Sequence, residues 1–97
     1  MHVIVTEIHL LPGQADKFAE FYKSKAAPWY KANTKVERIE LITDAAHNKV
    51  FAHRYYASEA DAVYKKSGDA EYAALKAEAQ GFATDIPVRH DAVLHSL

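Results

Sequence analysis

Residues 3–10 read Val-Ile-Val-Thr-Glu-Ile-His-Leu, and Pro12-Gly13 follows them after a single leucine. A run of β-branched residues that ends at a turn dipeptide is typical of a β-strand. The even-numbered positions form the more apolar row, whereas the odd-numbered row becomes polar at Glu7 and His9. Because both rows contain apolar residues, we expect a strand in a sheet that is covered on both faces.

The residues after this strand predict two helices and three more strands. Helical spacing of apolar residues runs from Gln14 to about Ala27, and Pro28 should kink or end this helix because it lacks a backbone N–H. Two strands, 36–43 and 49–56, flank a polar connector of hairpin length. A second helix starts at a Ser58 cap, breaks near 67–69, resumes over 70–80 and stops at Gly81, and a last strand covers 88–95.

This order of elements, β-α-β-β-α-β, is the split βαβ arrangement of ferredoxin-like α+β folds. Right-handed connections place the first and third strands side by side in the middle of a four-stranded antiparallel sheet, with both helices on one face. The other face stays bare in a 97-residue chain, which buries only a little over about 60% of the surface of its unfolded form. We therefore expect a second copy of the chain to cover that face in a homodimer.

The composition narrows the classes of partner. The chain has 12 Lys and Arg residues against 13 Asp and Glu, a net charge of −1, which predicts no nucleic-acid and no membrane-surface partner. It has no cysteine, so disulfides, thiol nucleophiles and cysteine metal ligands are excluded. Its first residues lack a basic leader with a long apolar run, and we expect a single cytoplasmic domain without a signal peptide or a membrane span.

Several of these segments resemble the antibiotic biosynthesis monooxygenase-like proteins of the dimeric α+β barrel superfamily. The matching features are Thr6–Gln14 (TEIHLLPGQ) before the first helix, the aromatic end of the third strand in His53–Tyr56 (HRYY), Ser58–Ala60 directly after it, and the Ser67-Gly68 interruption of the second helix. The resemblance implies a homodimer in which two sheets face each other as a barrel, with a pocket between sheet and helices in each subunit. It also implies, for some members, oxygenation of polyphenolic or quinol substrates without metal or flavin, so we expect no cofactor.

Three positions depart from the haem-degrading members of this family. Those members carry an Asn on the first strand, a Trp on the second helix and a His beyond it. The corresponding positions here are Thr6, residue 64 or 65, and residue 75 or 76, and none keeps the required residue. We therefore expect no haem-degrading activity. The Asn and Trp that the best-known oxygenases of the family carry on the second helix are also missing, so catalysis would depend on other residues.

Alternation along the third strand assigns its side chains to two faces. Glu7 and Arg54 carry opposite charges on strands that should be neighbours, and an ion pair inside the dimer barrel is the simplest interpretation. If Arg54 points into the barrel, His53 and Tyr55 point toward the helices and the pocket, and Thr6 points the same way.

The candidate catalytic residues are His53, His90 and Tyr55. His90 belongs to the more apolar row of the last strand, which should share the pocket. A histidine beside a phenol can accept a proton from a phenolic substrate at neutral pH, since its unperturbed pKa is about 6.5. A core histidine that bonds a carbonyl or a tyrosine is the alternative for each. We expect no metal site, because the six histidines include no His-x-His or His-x-x-x-His pair.

The helices supply aromatic side chains with polar tips. We predict that four of them contribute to substrate binding together with Thr6: Tyr22, Trp29, Tyr64 and Tyr72. Each hydroxyl or indole N–H needs a hydrogen-bond partner, which favours a pocket for a flat aromatic ligand. Ordinary core packing is the alternative.

Three functions remain open from the sequence. The leading hypothesis is a cofactor-independent monooxygenase that acts on an aromatic or quinol-like small molecule. The alternatives are a non-catalytic ligand-binding or stress-related dimer, and a cyclase or isomerase on the same barrel. Oxygen uptake would indicate the first, binding without turnover the second, and product formation under nitrogen the third.

Overall fold

A four-stranded antiparallel sheet is the central element of the computed structural model, which describes residues 1–63 and 69–97. The strands are β1 (His2–His9), β2 (Arg38–Asp44), β3 (Lys49–Tyr56) and β4 (Val88–Val93), in the spatial order β2-β3-β1-β4. This order confirms the ferredoxin-like prediction with β1 and β3 in the centre. The bounds of each strand lie within two residues of the predicted ones.

The first helical region runs without interruption from Ala15 to Asn33. It consists of α1 (Ala15–Phe21), a π-helical turn (Tyr22–Ala26) and α2 (Ala27–Asn33). Pro28 does not end this helix, which continues through Asn33, so that part of the prediction is wrong. Pro28 lies in the first turn of α2, directly after the π-helical turn, and proline is tolerated in the first turn of a helix. Residues 29 and 30 are consequently helical.

The second helical region is described only in part. α3 (Ala70–Gln80) begins after Asp69, whose carboxylate accepts two backbone N–H groups of its first turn, and ends at Gly81 as predicted. The Ser58 hydroxyl accepts a backbone N–H at 3.2 Å, as its predicted capping role requires, but the residues that follow form a short 3₁₀ turn (Ala60–Ala62). The rest of the predicted first segment lies outside the described residues. Within the described ranges, no helix combines the length and the apolar character needed to cross a bilayer.

The core lies between the sheet and the first helical region. The register pairs Ile8 of β1 with Val50 of β3 and Thr6 with Ala52. Phe18 of α1 packs onto this row and is only 1% exposed. The even-numbered row of β1 therefore faces the helices.

The predicted orientation of β3 is wrong. Arg54 pairs with Ile4, which is fully buried on the helix side of the sheet. The Arg54 guanidinium lies 4.1 Å from the centre of the Tyr30 ring, which belongs to α2. Arg54 therefore points toward the helices, because tyrosine rings and hydroxyls surround its charge there in place of the carboxylate that the prediction supposed.

His53, Tyr55 and His90 consequently lie on the opposite side of the sheet, which we name the open face. His53 and His90 flank Val5 on either side, and Val5 belongs to the odd-numbered row of β1. The prediction that these three residues face the helices is wrong for the same reason as for Arg54. Glu7 also lies on the open face, where its carboxylate bonds the imidazole of His9, so the predicted Glu7–Arg54 ion pair does not form.

Ile4→Ala should destabilise the fold strongly, whereas Ile86→Ala should not. Ile4 is 0% exposed and Ile86 is 85% exposed. Truncation of a buried isoleucine leaves a cavity and costs about 2–5 kcal/mol, while an exposed substitution stays within about 0.5 kcal/mol. Urea unfolding of both variants at one fixed protein concentration measures the difference. Equal midpoints would contradict the burial of Ile4.

Candidate functional site

A cavity of about 460 Å³ lies between the helices and the helix-facing side of the sheet. Its volume is within the range of about 300–1,000 Å³ that small-molecule sites occupy. Most of its wall is apolar. Its lining includes five aromatic rings and three cationic side chains: Phe18, Phe21, Tyr22, Tyr30, Tyr72, Arg54, Lys76 and Arg89.

Small side chains keep this space open. Ala52 of β3, Ala26 of the π-helical turn and Ala79 of α3 all line the cavity. Each carries only a methyl group where a leucine or isoleucine would extend into the space, and protein interiors are otherwise packed without voids of this size. The small size of these three alanines, on three different elements, therefore leaves the space that forms the cavity.

Tyr22, Ala26 and Tyr30 form one stripe along the first helical region, at intervals of four residues. All three line the cavity, and the π-helical turn Tyr22–Ala26 holds the first two. π-helical turns occur frequently at functional sites. Sequence reasoning missed Tyr30 because Pro28 was expected to kink or end the helix. The interval of four residues from Tyr22 to Ala26 and from Ala26 to Tyr30 would have indicated that Tyr30 lies on the same helix face.

Arg54 is the most buried of the three cations that line the cavity: it is 8% exposed, whereas Lys76 and Arg89 are exposed side chains. The Nε of Arg54 donates a hydrogen bond to the Tyr56 hydroxyl at 3.3 Å, and its guanidinium stacks on Tyr30. Neither Nη atom makes a hydrogen bond of ordinary geometry with a described residue. Sequence reasoning assigned Arg54 to the other face, so it was not among the predicted pocket residues.

The positive charge of Arg54 has no carboxylate partner within ion-pair distance in the described ranges. Burial acts to lower the pKa of Arg54, but the phenols of Tyr30 and Tyr22 act in the opposite direction, and the net pKa is raised. A guanidinium is protonated at every pH at which proteins fold. The cavity wall therefore carries a permanent, nearly buried cation.

The phenols near this cation remain neutral. Burial raises the pKa of Tyr22 above its ordinary value, and the charge of Arg54 opposes this effect only in part. Burial raises the pKa of Tyr30 in the same way. The Tyr22 hydroxyl is fully buried and has no hydrogen-bond partner of normal geometry among the described residues. It is a donor that a ligand can use.

The predicted substrate-binding residues divide into three groups. Thr6, Tyr22 and Tyr72 line the cavity. Trp29 stacks on Tyr72, with ring centres 4.7 Å apart, but it lines a shallower groove between the two helical regions and not the cavity. Tyr64 lies outside the described residues.

The predicted catalytic residues meet on the open face. The Tyr55 hydroxyl donates to the carboxylate of Glu40 at 2.7 Å and lies 3.4 Å from Nδ1 of His53. His90 is exposed on the same face. The three residues are thus near one another but separated from the cavity by the sheet, and their catalytic role stays a prediction.

Metal binding has no ready-made site in the described part of the chain. Its His, Asp and Glu side chains nowhere form a group of three that could hold an ion. The contacts between histidine and carboxylate that do occur, such as His47 with Asp44, do not assemble into such a group.

No protein-family model and no curated protein matches this sequence. Solved structures do match its fold. A monooxygenase of Streptomyces coelicolor, determined in complex with the ligand nanaomycin D, has a TM-score of 0.81 at 13% identity, over 99% of this chain and 88% of that chain.

Two further neighbours extend the likeness. A candidate antibiotic biosynthesis monooxygenase of Bordetella bronchiseptica has a TM-score of 0.81 at 10% identity, over 98% of this chain and 97% of that one. A NIPSNAP domain protein of Burkholderia xenovorans has a TM-score of 0.73 at 11% identity, over 99% and 96%. At such identities the likeness concerns the fold alone. The chain therefore has the fold of the antibiotic biosynthesis monooxygenase-like proteins, the family that its sequence resembles.

Proposed function

We propose that this protein binds an aromatic or quinol-like small molecule in the cavity and oxygenates it with molecular oxygen, without a cofactor. The observation that carries the proposal is the cavity itself, whose aromatic walls suit a flat ring and whose phenols suit its polar substituents. The likeness in fold to a monooxygenase that was crystallised with a small ligand supports it.

The substrate supplies the electrons in such a reaction. Its deprotonated form passes an electron to oxygen, one oxygen atom enters the product and the other leaves as water. The protein contributes position and electrostatics: Phe18 and Phe21 flank the ring, and the hydroxyl of Tyr22 offers a hydrogen bond.

A second candidate function is ligand binding without catalysis. One observation favours it: the described residues that line the cavity include no histidine, aspartate or glutamate. A substrate proton has no imidazole or carboxylate to accept it there. Binding of an aromatic ligand without oxygen uptake would support this function over oxygenation.

We also propose that a second copy of the chain covers the open face. Ile42 and Val88 on this face are 50% and 45% exposed, and an apolar row with that exposure is typical of a surface that a partner covers. Phe51 lies opposite Ile42 and continues the row onto β3, and Glu7 of β1 is the charged member between Phe51 and Val88. The family resemblance implies the same arrangement.

The oxygenation proposal predicts oxygen uptake that depends on the cavity. With a panel of quinols in an oxygen electrode, the protein should exceed a heat-denatured control, and no product should form under nitrogen. Ala79→Leu, which fills the cavity, should lower uptake by at least about tenfold, because small misplacements of a substrate are costly. Ala73→Leu, on an exposed position of the same helix, is the matched control. No uptake with any quinol counts against oxygenation.

The burial of the phenols predicts an alkaline transition. The pKa of Tyr22 is raised in the native state, whereas in the unfolded chain this phenol ionises at about pH 10. The contribution of Tyr22 to the free energy of unfolding is therefore fully present below about pH 10 and is lost as the pH rises above it. Tyr22→Phe should lose less stability above pH 10 and should remove one tyrosine from the class that ionises only on unfolding. Titration of phenolate ultraviolet absorbance, native and in urea, counts each class. If Tyr22→Phe instead lost a tyrosine that ionises readily in the native protein, the burial of Tyr22 would be refuted.

The dimer proposal predicts a mass of twice 10.9 kDa by sedimentation equilibrium at micromolar concentration. Val88→Glu should weaken the dimer, because it places a charge in the apolar row of the open face. Val63→Glu is the matched control, since Val63 is 49% exposed but lies outside the strands. A wild-type protein that is monomeric under these conditions would overturn the proposal.

A further inference from the structure

We propose that the cavity is an anion site, and that its ligand is an aromatic carboxylate whose carboxyl group binds Arg54 and Tyr22. This inference rests on the proposed ligand-binding cavity and specifies its ligand class. It does not depend on whether the ligand is oxygenated.

A buried charge without a partner is the starting observation. Arg54 is 8% exposed, and no described aspartate or glutamate lies within ion-pair distance of it. Removing a cation from water costs free energy that only an opposite charge and hydrogen bonds recover in full. Tyr30 contributes a ring face and Tyr56 a hydroxyl, which offset part of the desolvation cost of Arg54 but carry no negative charge. An anion in the cavity completes the site.

The donors that remain free have the geometry of a carboxylate site. Arg54 uses Nε for Tyr56, and neither Nη makes a hydrogen bond of ordinary geometry with a described residue, although the guanidinium is close enough to the Tyr22 oxygen to act to lower the pKa of that phenol. The Tyr22 hydroxyl, on a residue that is only 6% exposed, adds an unpartnered donor beside the same cation. A guanidinium presents parallel N–H groups that match two oxygens of one carboxylate, and the remaining lone pairs accept a further O–H. A phenolate has a single oxygen and fits this set less well.

The rest of the ligand is defined by the walls. Phe18 and Phe21 form the apolar side of the cavity, and their ring centres are 5.7 Å apart. Aromatic ligands pack onto such rings in offset or edge-on contacts. The site therefore combines an anion-binding end at Arg54 with an aromatic slot, so neither neutral hydrocarbons nor small inorganic anions should be its best ligands.

Calorimetric titration with two isosteric compounds tests the charge. Wild-type protein at pH 7.5 should bind 2-naphthoate at least about tenfold more tightly than neutral 2-naphthamide, a preference equivalent to about 1.4 kcal/mol. Arg54→Met should abolish the preference, and Tyr22→Phe should reduce it. 2-Naphthol is the comparison compound with a phenol in place of the carboxylate. If 2-naphthol binds more tightly than 2-naphthoate, the site prefers a phenol or phenolate and the carboxylate assignment is wrong.

Arg38→Met is the matched control. Arg38 stacks on Tyr55 at 4.1 Å, the same distance as Arg54 on Tyr30, but on the open face. This variant should keep the preference for 2-naphthoate. Arg89 also borders the cavity, with its guanidinium bonded to Asp91, so Arg89→Met is a second comparison. Loss of the preference in Arg89→Met but not in Arg54→Met would overturn the assignment of Arg54.

Thermal unfolding adds a readout that does not depend on turnover. Arg54→Met should unfold at an equal or higher temperature than wild type when no ligand is present, because the variant removes an unpaired buried cation. 2-Naphthoate should raise the midpoint of wild type and leave that of Arg54→Met unchanged. If circular dichroism shows that Arg54→Met is largely unfolded, its loss of the preference for 2-naphthoate says nothing about the site. The binding preference of Tyr22→Phe then decides between the outcomes.

The two proposals fail in different ways. Binding of 2-naphthoate without oxygen uptake from any hydroxylated aromatic acid would leave the anion site standing and reject oxygenation. Oxygen uptake with equal affinity for 2-naphthoate and 2-naphthamide would reject the anion site and retain oxygenation. Absence of binding by both compounds at millimolar concentration would overturn the anion site directly.

Discussion

The register of β1 between β3 and β4 decides which chemistry each face of the molecule can hold. Val5 lies opposite both His53 and His90, so the imidazoles share the open face. One residue further along, Thr6 lies opposite Ala52 on the helix side, where the cavity is. A slip of one residue would exchange the two faces completely. The pairing of these strands therefore keeps the imidazoles and the cavity apart.

The same register brings a guanidinium to the helix side, and the first helical region is built to receive it. Tyr30 covers Arg54 with a ring face, which requires the helix to continue past Pro28. The π-helical turn places Tyr22 along the same stripe, two turns earlier. Both tyrosines stay neutral because burial disfavours their phenolates. The irregular helix and the buried charge are consequently parts of one arrangement.

The sequence predicted the order, number and bounds of the strands, because β-branched runs and turn residues are local signals. It did not predict which face of β3 meets the helices. Both rows of this strand contain aromatic or charged residues, and alternation separates His53 from Arg54 without saying which one points inward. The choice depends on distant tyrosines that shield the charge. The expectation at Pro28 failed for a related reason. Proline usually ends a helix, but here it follows the π-helical turn and lies in the first turn of α2, where proline is tolerated.

The separation of imidazoles from the cavity has a consequence for the proposed reaction. The described lining holds no histidine, aspartate or glutamate, so we expect ionisation of a substrate to depend on stabilisation of the anion more than on a positioned imidazole or carboxylate. A permanent cation such as Arg54 does this for a phenol held beside it by lowering the pKa of that phenol, and water then receives the proton. A carboxylate that binds Arg54 would take up the same charge, so oxygenation of a phenol and the carboxylate site make competing use of this cation. The effect of the cation on the pKa is large where the surroundings are apolar, since charges interact more strongly at low dielectric constant. A nearly buried arginine among neutral phenols meets that condition.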